Sequence, residues 1–187
     1  SSIIQHPSIM TIESLQNEKI KNLNRLITDN RFSKKSGIFV VEGKQENERA
    51  LQFGFENIEF YICENIFGIN HPEGKIHFVS SQVYEKLAYR GSSEGIIGIY
   101  KTKEFNLNEF SPEENASVIV VESVEKPGNL GAILRSCEAF GIDALIVTDT
   151  KVDFYNPNVL RCSVGCFFGM NVFFASNEET LAFLQKN

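Results

Sequence analysis

The chain has 187 residues, with 18 Lys and Arg against 24 Asp and Glu, for a net charge of −6. Its 42% hydrophobic and 11% aromatic content, including 16 Phe, excludes a disordered tail and supplies one large core or two small ones. No apolar run reaches the roughly 18–20 residues that span a bilayer, and no basic segment leads into an apolar stretch at the N-terminus, so neither a membrane span nor a signal peptide is expected.

Residues 12–30 predict one helix, with Ile12, Leu15, Ile20, Leu23, Leu26 and Ile27 roughly on one face. Arg31 to Gly37 reads as the break after it. Ile38 to Val41 is a short apolar run that suits a buried strand, and Glu42 to Phe53 a second helix stopped by Gly54. Strands are expected at Ile58–Ile62, Lys75–Val79 and Ile96–Tyr100, with a helix over Ser80–Tyr89. Residues 101–116 are polar, with few large apolar side chains, and read as a solvated linker between two units. The expected domains are therefore 1–103, a linker at 104–116, and 117–187.

Beyond the linker, strand and helix alternate. Ser117–Val121 is a β-branched run expected to be buried on both faces. Gly128–Phe140 follows as a helix, then strand Ala144–Val147, a helix opened by Pro157, and a short strand at Asn171–Phe174. Ser176 and Glu179 form a capping box for a last helix. This order implies βαβ units and a parallel sheet, so the fold class is α/β.

The charge is uneven: 13 basic and 12 acidic residues up to Lys103, then 5 and 12. That balance argues against a general nucleic-acid coat but leaves room for a local basic patch. Cys63, Cys137, Cys162 and Cys166 form no C-x-x-C pair and read as free buried thiols of a reducing compartment, the cytoplasm. His6, His71 and His77 have no metal-ligand spacing, so no metal is expected, and neither a zinc enzyme nor a Ser-His-Asp hydrolase fits.

Chemistry is expected where strands meet helices at the carboxyl edge of the parallel sheet. The turn after Val121 carries Pro127, Gly128, Asn129, Gly131 and Arg135. Gly131 allows close approach by a partner backbone or a phosphate. Asn129 and Arg135 lie about 120° apart if both are helical. They face one crevice only if Asn129 belongs to the turn. A glycine turn also serves any βαβ unit, and the spacing is neither a P-loop nor a dinucleotide fingerprint. The next strand is followed by Asp153 to Gly165, in which Arg161, Ser163 and Gly165 bring together a cation, a hydroxyl and bare backbone. Such a set suits a phosphate or ribose, or an ordinary capped helix.

K-P-G-N-L-G-A-I-L-R-S-C-E-A-F-G, with Asn129, Gly131 and Arg135 in N-x-G-x-x-x-R, resembles the first signature motif of the SpoU (TrmH-type) RNA ribose methyltransferases of the SPOUT superfamily. D-F-Y-N-P-N-V-L-R-C-S-V-G resembles the segment that follows it there. F-V-V-E-G-K (Phe39–Lys44) and S-S-E-G-I-I-G-I (Ser92–Ile99) resemble parts of that family's N-terminal substrate-binding domain, where Gln commonly stands in place of Glu94. The resemblance covers about residues 12–175.

It implies a small, ribosomal-protein-like α/β RNA-binding domain joined to a trefoil-knotted α/β catalytic domain that works as a homodimer. The activity implied is transfer of a methyl group from S-adenosylmethionine to a ribose 2′-hydroxyl of ribosomal or transfer RNA. It makes Asn129 and Arg135 the catalytic pair. Guanidinium stays protonated, so Arg135 is expected foremost as a clamp on phosphate and a stabiliser of a developing alkoxide, with action as a base the second reading. Arg161 and Ser163, and in the first half Lys34, Lys35 and Arg90 with Arg31 nearby, are the expected RNA contacts. The family's later G-x-E-x-x-G and S-L-N segments are not among the 187 residues, so the catalytic domain is expected to be incomplete and this chain alone inactive. Two other classes stay open: an RNA-binding relative without catalysis, and an unrelated α/β nucleotide-binding protein.

Overall fold

The computed structural model describes residues 10–89 and 94–187. Contacts divide the chain into two compact units. One runs up to Lys44 and resumes at Asn57–Tyr100; the other holds Gln45–Glu56 and Lys101–Asn187.

The first unit opens with α1 (Glu18–Thr28) and α2 (Asn30–Ser36). The single helix expected over 12–30 is thus shorter, and the expected break is itself helical. Asp29 is the reason: it ends α1 and its carboxylate accepts from Phe32 N at 3.0 Å to cap α2. Gly37, at φ 66°, then closes α2 in the left-handed region. Strand β1 (Ile38–Glu42) follows, and α3 (Lys44–Gln52) leaves this unit after its first residue. Then come β2 (Asn57–Ile62), a short α4 (Glu64–Phe67) that the sequence did not suggest, β3 (Ile76–Phe78), α5 (Ser81–Leu87) and β4 (Ile96–Lys101). The strands form one sheet in the order β1-β4-β2-β3, with β2 parallel to β3 and antiparallel to β4. Ile20, Leu23 and Leu26 of α1 pack with Val40, Tyr61, Ile97 and Ile99 of the sheet and with Val83 and Tyr84 of α5.

The second unit contains β5 (Val118–Glu122), α6 (Pro127–Ala139), β6 (Ala144–Thr148), α7 (Pro157–Cys162), β7 (Asn171–Ala175) and α8 (Asn177–Lys186). Its sheet is parallel throughout, in the order β5-β6-β7. The double burial expected of Ser117–Val121 belongs instead to β6, which is central and buried at every residue. β5 lies at the side of this sheet and leaves Val120 40% exposed. Residues 101–116 are not loosely solvated: Phe105, Leu107 and Phe110 join the cluster of Ala144, Ile146, Phe173 and Phe183. The last helix forms behind the expected capping box and buries Phe183 in that cluster.

In the first unit, Glu59 lies half-buried among Lys75 Nζ at 2.8 Å, His77 Nε2 at 3.0 Å and the Tyr61 hydroxyl at 2.9 Å. Burial pushes its carboxyl up, but these hydrogen bonds together carry it down to about 2. A carboxyl lowered on folding adds stability that is complete above its ordinary value of 4.5 and is lost as the pH falls toward 2. Glu59→Gln should therefore flatten the acid limb of a plot of Tm against pH below 4.5. An acid limb of unchanged steepness would contradict this.

Candidate active site

Helix α6 rises from the carboxyl end of β5 and starts at Pro127, whose missing N–H is no loss in a first turn. Leu130, Gly131, Leu134 and Cys137 form its buried stripe. Gly131 is there for space. A Cβ on it would lie 2.5 Å from Cys162 Cβ, 2.8 Å from Cys162 C and 2.9 Å from Ser163 N. Of the two roles open to this glycine in the sequence, the structure gives it the first: it admits the backbone at the end of α7, not a phosphate.

The partner segment is fixed from several sides. The Asn156 side chain caps α7 by accepting from Asn158 N at 2.8 Å. Arg161 Nη2 donates to Asn158 Oδ1 at 2.8 Å. Ser163 is fully buried, and its hydroxyl donates to Leu160 O at 2.7 Å. In this structure it holds a helix end rather than presenting a hydroxyl to solvent. The chain then takes Val164 and Gly165 through left-handed φ of 52° and 74°. The loop before α7 is pinned by Tyr155, whose hydroxyl donates to Lys103 O and accepts from Lys103 N, both at 2.7 Å. Burial raises the Tyr155 pKa and keeps it a neutral phenol. Phe167 packs against Phe55, Phe105, Phe154, Tyr155 and Phe168, so these Phe serve as core and not as base platforms.

At the carboxyl edge of the sheet the loops after β5 and β6 are laced together. Ser123 N donates to Thr148 O at 2.9 Å, and Thr150 Oγ1 donates to Val124 O. Ser123 and Asp149, each just past a strand end, have φ of 53° and 47°. Asn177 Nδ2 donates to both Glu122 and Asp149. Thr148 is 1% exposed, and its hydroxyl has no hydrogen-bond partner among the described residues.

One neighbour of this helix pair left no mark in the sequence. Arg49 of α3 donates from Nε to Gly165 O at 2.9 Å, pairs through Nη2 with Glu138 of α6, and lies over the Phe53 ring. A Cβ on Gly165 would meet Arg49 Cδ at 2.8 Å, so this glycine is required both by its φ and by the arginine. Glu138 also accepts from Cys166 Sγ at 2.8 Å. Burial first, then the Glu138 carboxylate, push the Cys166 thiol up to about 11, against smaller opposing effects of Arg49 and Arg135. No spacing signal joins Arg49 to residues more than eighty positions away.

Asn129 and Arg135 are both exposed on α6. Because the helix begins at Pro127, Asn129 is inside it and not in the preceding turn, so the pair is separated by about 120° and about 9 Å along the axis. The condition for the two to face one crevice is not met. Asn129 lies in the first turn of α6; Arg135 lies three residues before Glu138 on the same helix. Lys34 and Lys35 are exposed in the last turn of α2, in the first unit. Arg90 lies outside the described residues. The two N-terminal motif pieces meet within the first unit: Glu94 accepts from Lys44 N, and Gly43 N donates to Ile96 O at 3.2 Å.

Among the described residues no group of His, Cys, Asp and Glu could hold a metal ion, and no helix is long and apolar enough to cross a membrane.

Residues 116–187 match the SpoU rRNA Methylase family, and residues 17–98 match an MRM3-like substrate binding domain. A solved RNA 2′-O ribose methyltransferase superposes with a TM-score of 0.81 and 35% identity, covering 95% of this chain and 70% of that one. An AdoMet-bound rRNA methyltransferase from Sinorhizobium meliloti also superposes with a TM-score of 0.81, at 21% identity, covering 94% of this chain and 68% of that one. The 23S rRNA (guanosine(2553)-2′-O)-methyltransferase RlmP of Bacillus subtilis is 26% identical over 163 residues, which are 86% of this chain and 63% of that protein. The chain belongs to the SpoU family of methyltransferases, with its N-terminal substrate-binding domain. It spans less than two thirds of the length of the curated RlmP relative.

Alanine at 131 would gain about 1 kcal/mol of helix propensity over glycine. Overpacking costs about 1–3 kcal/mol, and here the obstacle is backbone that cannot rotate aside. Gly131→Ala should therefore lower the Tm by several degrees in calorimetry; an unchanged or higher Tm would contradict the tight contact.

Proposed function

We propose that the protein transfers a methyl group from S-adenosylmethionine to a ribose 2′-hydroxyl of ribosomal or transfer RNA. The observation that carries the reading is the N-x-G-x-x-x-R helix itself. Its glycine is locked against α7 while Asn129 and Arg135 stay exposed, at the carboxyl edge and two turns on. Residues 1–103 serve as the RNA-binding domain, 104–116 as the connection and 117–187 as the first portion of the methyltransferase domain. Helix α3 acts with the latter, since Arg49 bonds Gly165.

S-adenosylmethionine supplies the methyl group when bound. The carboxyl edge suits such a cationic donor. It carries the Glu122 and Asp149 carboxylates and the buried, unpartnered hydroxyl of Thr148. Arg135 makes no hydrogen bond or ion pair among the described residues, so its fork is available to an RNA phosphate and to the alkoxide that develops as the hydroxyl loses its proton. Asn129 does not touch Arg135 and acts on the ribose instead. Arg161, half-buried and steadied by Asn158, borders the RNA path. Ser163 supports α7 from within. Lys34 and Lys35, with Arg31 on the same side of α2, meet phosphates at the first unit, as Arg90 does. The protein works in the cytoplasm as a homodimer. Four free cysteines support the first point, and Phe140, 82% exposed at the end of α6, supports the second.

The test is methylation of total ribosomal RNA from a strain lacking the gene, by the product of the whole open reading frame. New 2′-O-methylated nucleosides are read by mass spectrometry. Arg135→Lys keeps the charge but loses the bidentate fork and should cost about tenfold or more in kcat/KM. Near-normal turnover would defeat the clamp. RNA binding without methyl transfer would favour a non-catalytic relative.

A further inference from the structure

Arg135 has a natural partner that it does not use. Glu138 follows it by three residues, the spacing at which Arg and Glu pair on a helix surface. Glu138 is instead engaged by two other residues. One carboxylate oxygen accepts from Arg49 Nη2 and the other from Cys166 Sγ. Arg49 is itself fixed by its Nε bond to Gly165 O and by the Phe53 ring beneath it. Arg135 and Glu138 lie one helical turn apart on α6, within reach of each other along the same face.

We infer that Arg49 is a positioning residue for Arg135: it occupies the Glu138 carboxylate, which would otherwise close on Arg135 and compete with an RNA phosphate. The functional part of this inference rests on the reading of Arg135 given above; the electrostatic part does not. Without Arg49, the nearest cation on the same helix to Glu138 is Arg135, and an i,i+3 pair forms. Such a pair is weak, yet it competes directly for the guanidinium. The expected loss of free Arg135 is about two- to fivefold.

The test needs neither donor nor RNA. Phenylglyoxal modifies unpaired arginines faster than paired ones, and peptide mass mapping reads each site separately. In the product of the whole open reading frame, Arg49→Met should slow modification of Arg135 about two- to fivefold, with the exposed Arg31 as an unchanged internal reference. Adding Glu138→Gln to Arg49→Met should restore the rate. Arg49→Lys, which keeps a cation beside Glu138, should leave Arg135 as reactive as in the parent and covers the case in which Arg49→Met does not fold. An unchanged rate in Arg49→Met, a double variant that stays slow, or a slowed Arg49→Lys would overturn the inference. In RNA methylation the same series should raise KM in Arg49→Met and restore it in the double variant, a rescue that a merely structural role would not give. Full methyl transfer by Arg135→Ala would instead remove the functional reading and leave the modification result standing.

Discussion

The contact between Gly131 and the end of α7 constrains everything else in the second unit. Three atoms of Cys162 and Ser163 lie within 3 Å of where a side chain would begin. With that approach closed, the face of α6 opposite its buried stripe is fixed toward solvent, and the positions of Asn129 and Arg135 follow from helix geometry alone. Ser163, Asn156 and Tyr155 then hold α7 and its loop where the glycine meets them. The serine and the glycine are two sides of one packing decision.

The same helix divides its labour along its length. Its N-terminal turn follows a strand end, where the backbone takes left-handed conformations at Ser123 and Asp149 and where a buried threonine hydroxyl has no partner among the described residues. Such strain and unmet polarity persist only where the surrounding structure holds them in place, and they gather at functional sites. Two turns on, Arg135 is exposed while the carboxylate that follows it, Glu138, pairs with a second arginine, Arg49. The edge suits a cationic donor, and the exposed guanidinium suits an anionic RNA backbone.

Much of the fold could be read directly from the sequence. The parallel βαβ order, the capping box at Ser176 and Glu179, and helix starts at prolines rest on local rules that the structure obeys. Family membership was legible from the motif around Asn129, Gly131 and Arg135. Other features were not, the short α4 among them. Asp29 splits one amphipathic pattern into two helices, because a cap can interrupt a helix without disturbing its hydrophobic spacing. β5 and β6 are both β-branched, and composition does not say which is central. Residues 101–116 are polar on average, but three apolar side chains suffice to anchor them in the core. In the site, the sequence admits two roles for Gly131, and only the backbone of α7 beside it decides between them. Arg49 left no signal, because its partners are distant in sequence and are brought close only by folding.

We propose that the seating of α6 on α7 is what makes Arg135 effective. A double-mutant cycle measures it: kcat/KM for RNA methylation by the product of the whole open reading frame, the variant with Gly131→Ala, the variant with Arg135→Lys, and the variant with both. If the seating positions the guanidinium, the second change adds little once the first is made, and the coupling falls in the range of about 0.5–3 kcal/mol found for interacting residues. Two losses that simply multiply would show that Arg135 works independently of the glycine contact, and would contradict the account.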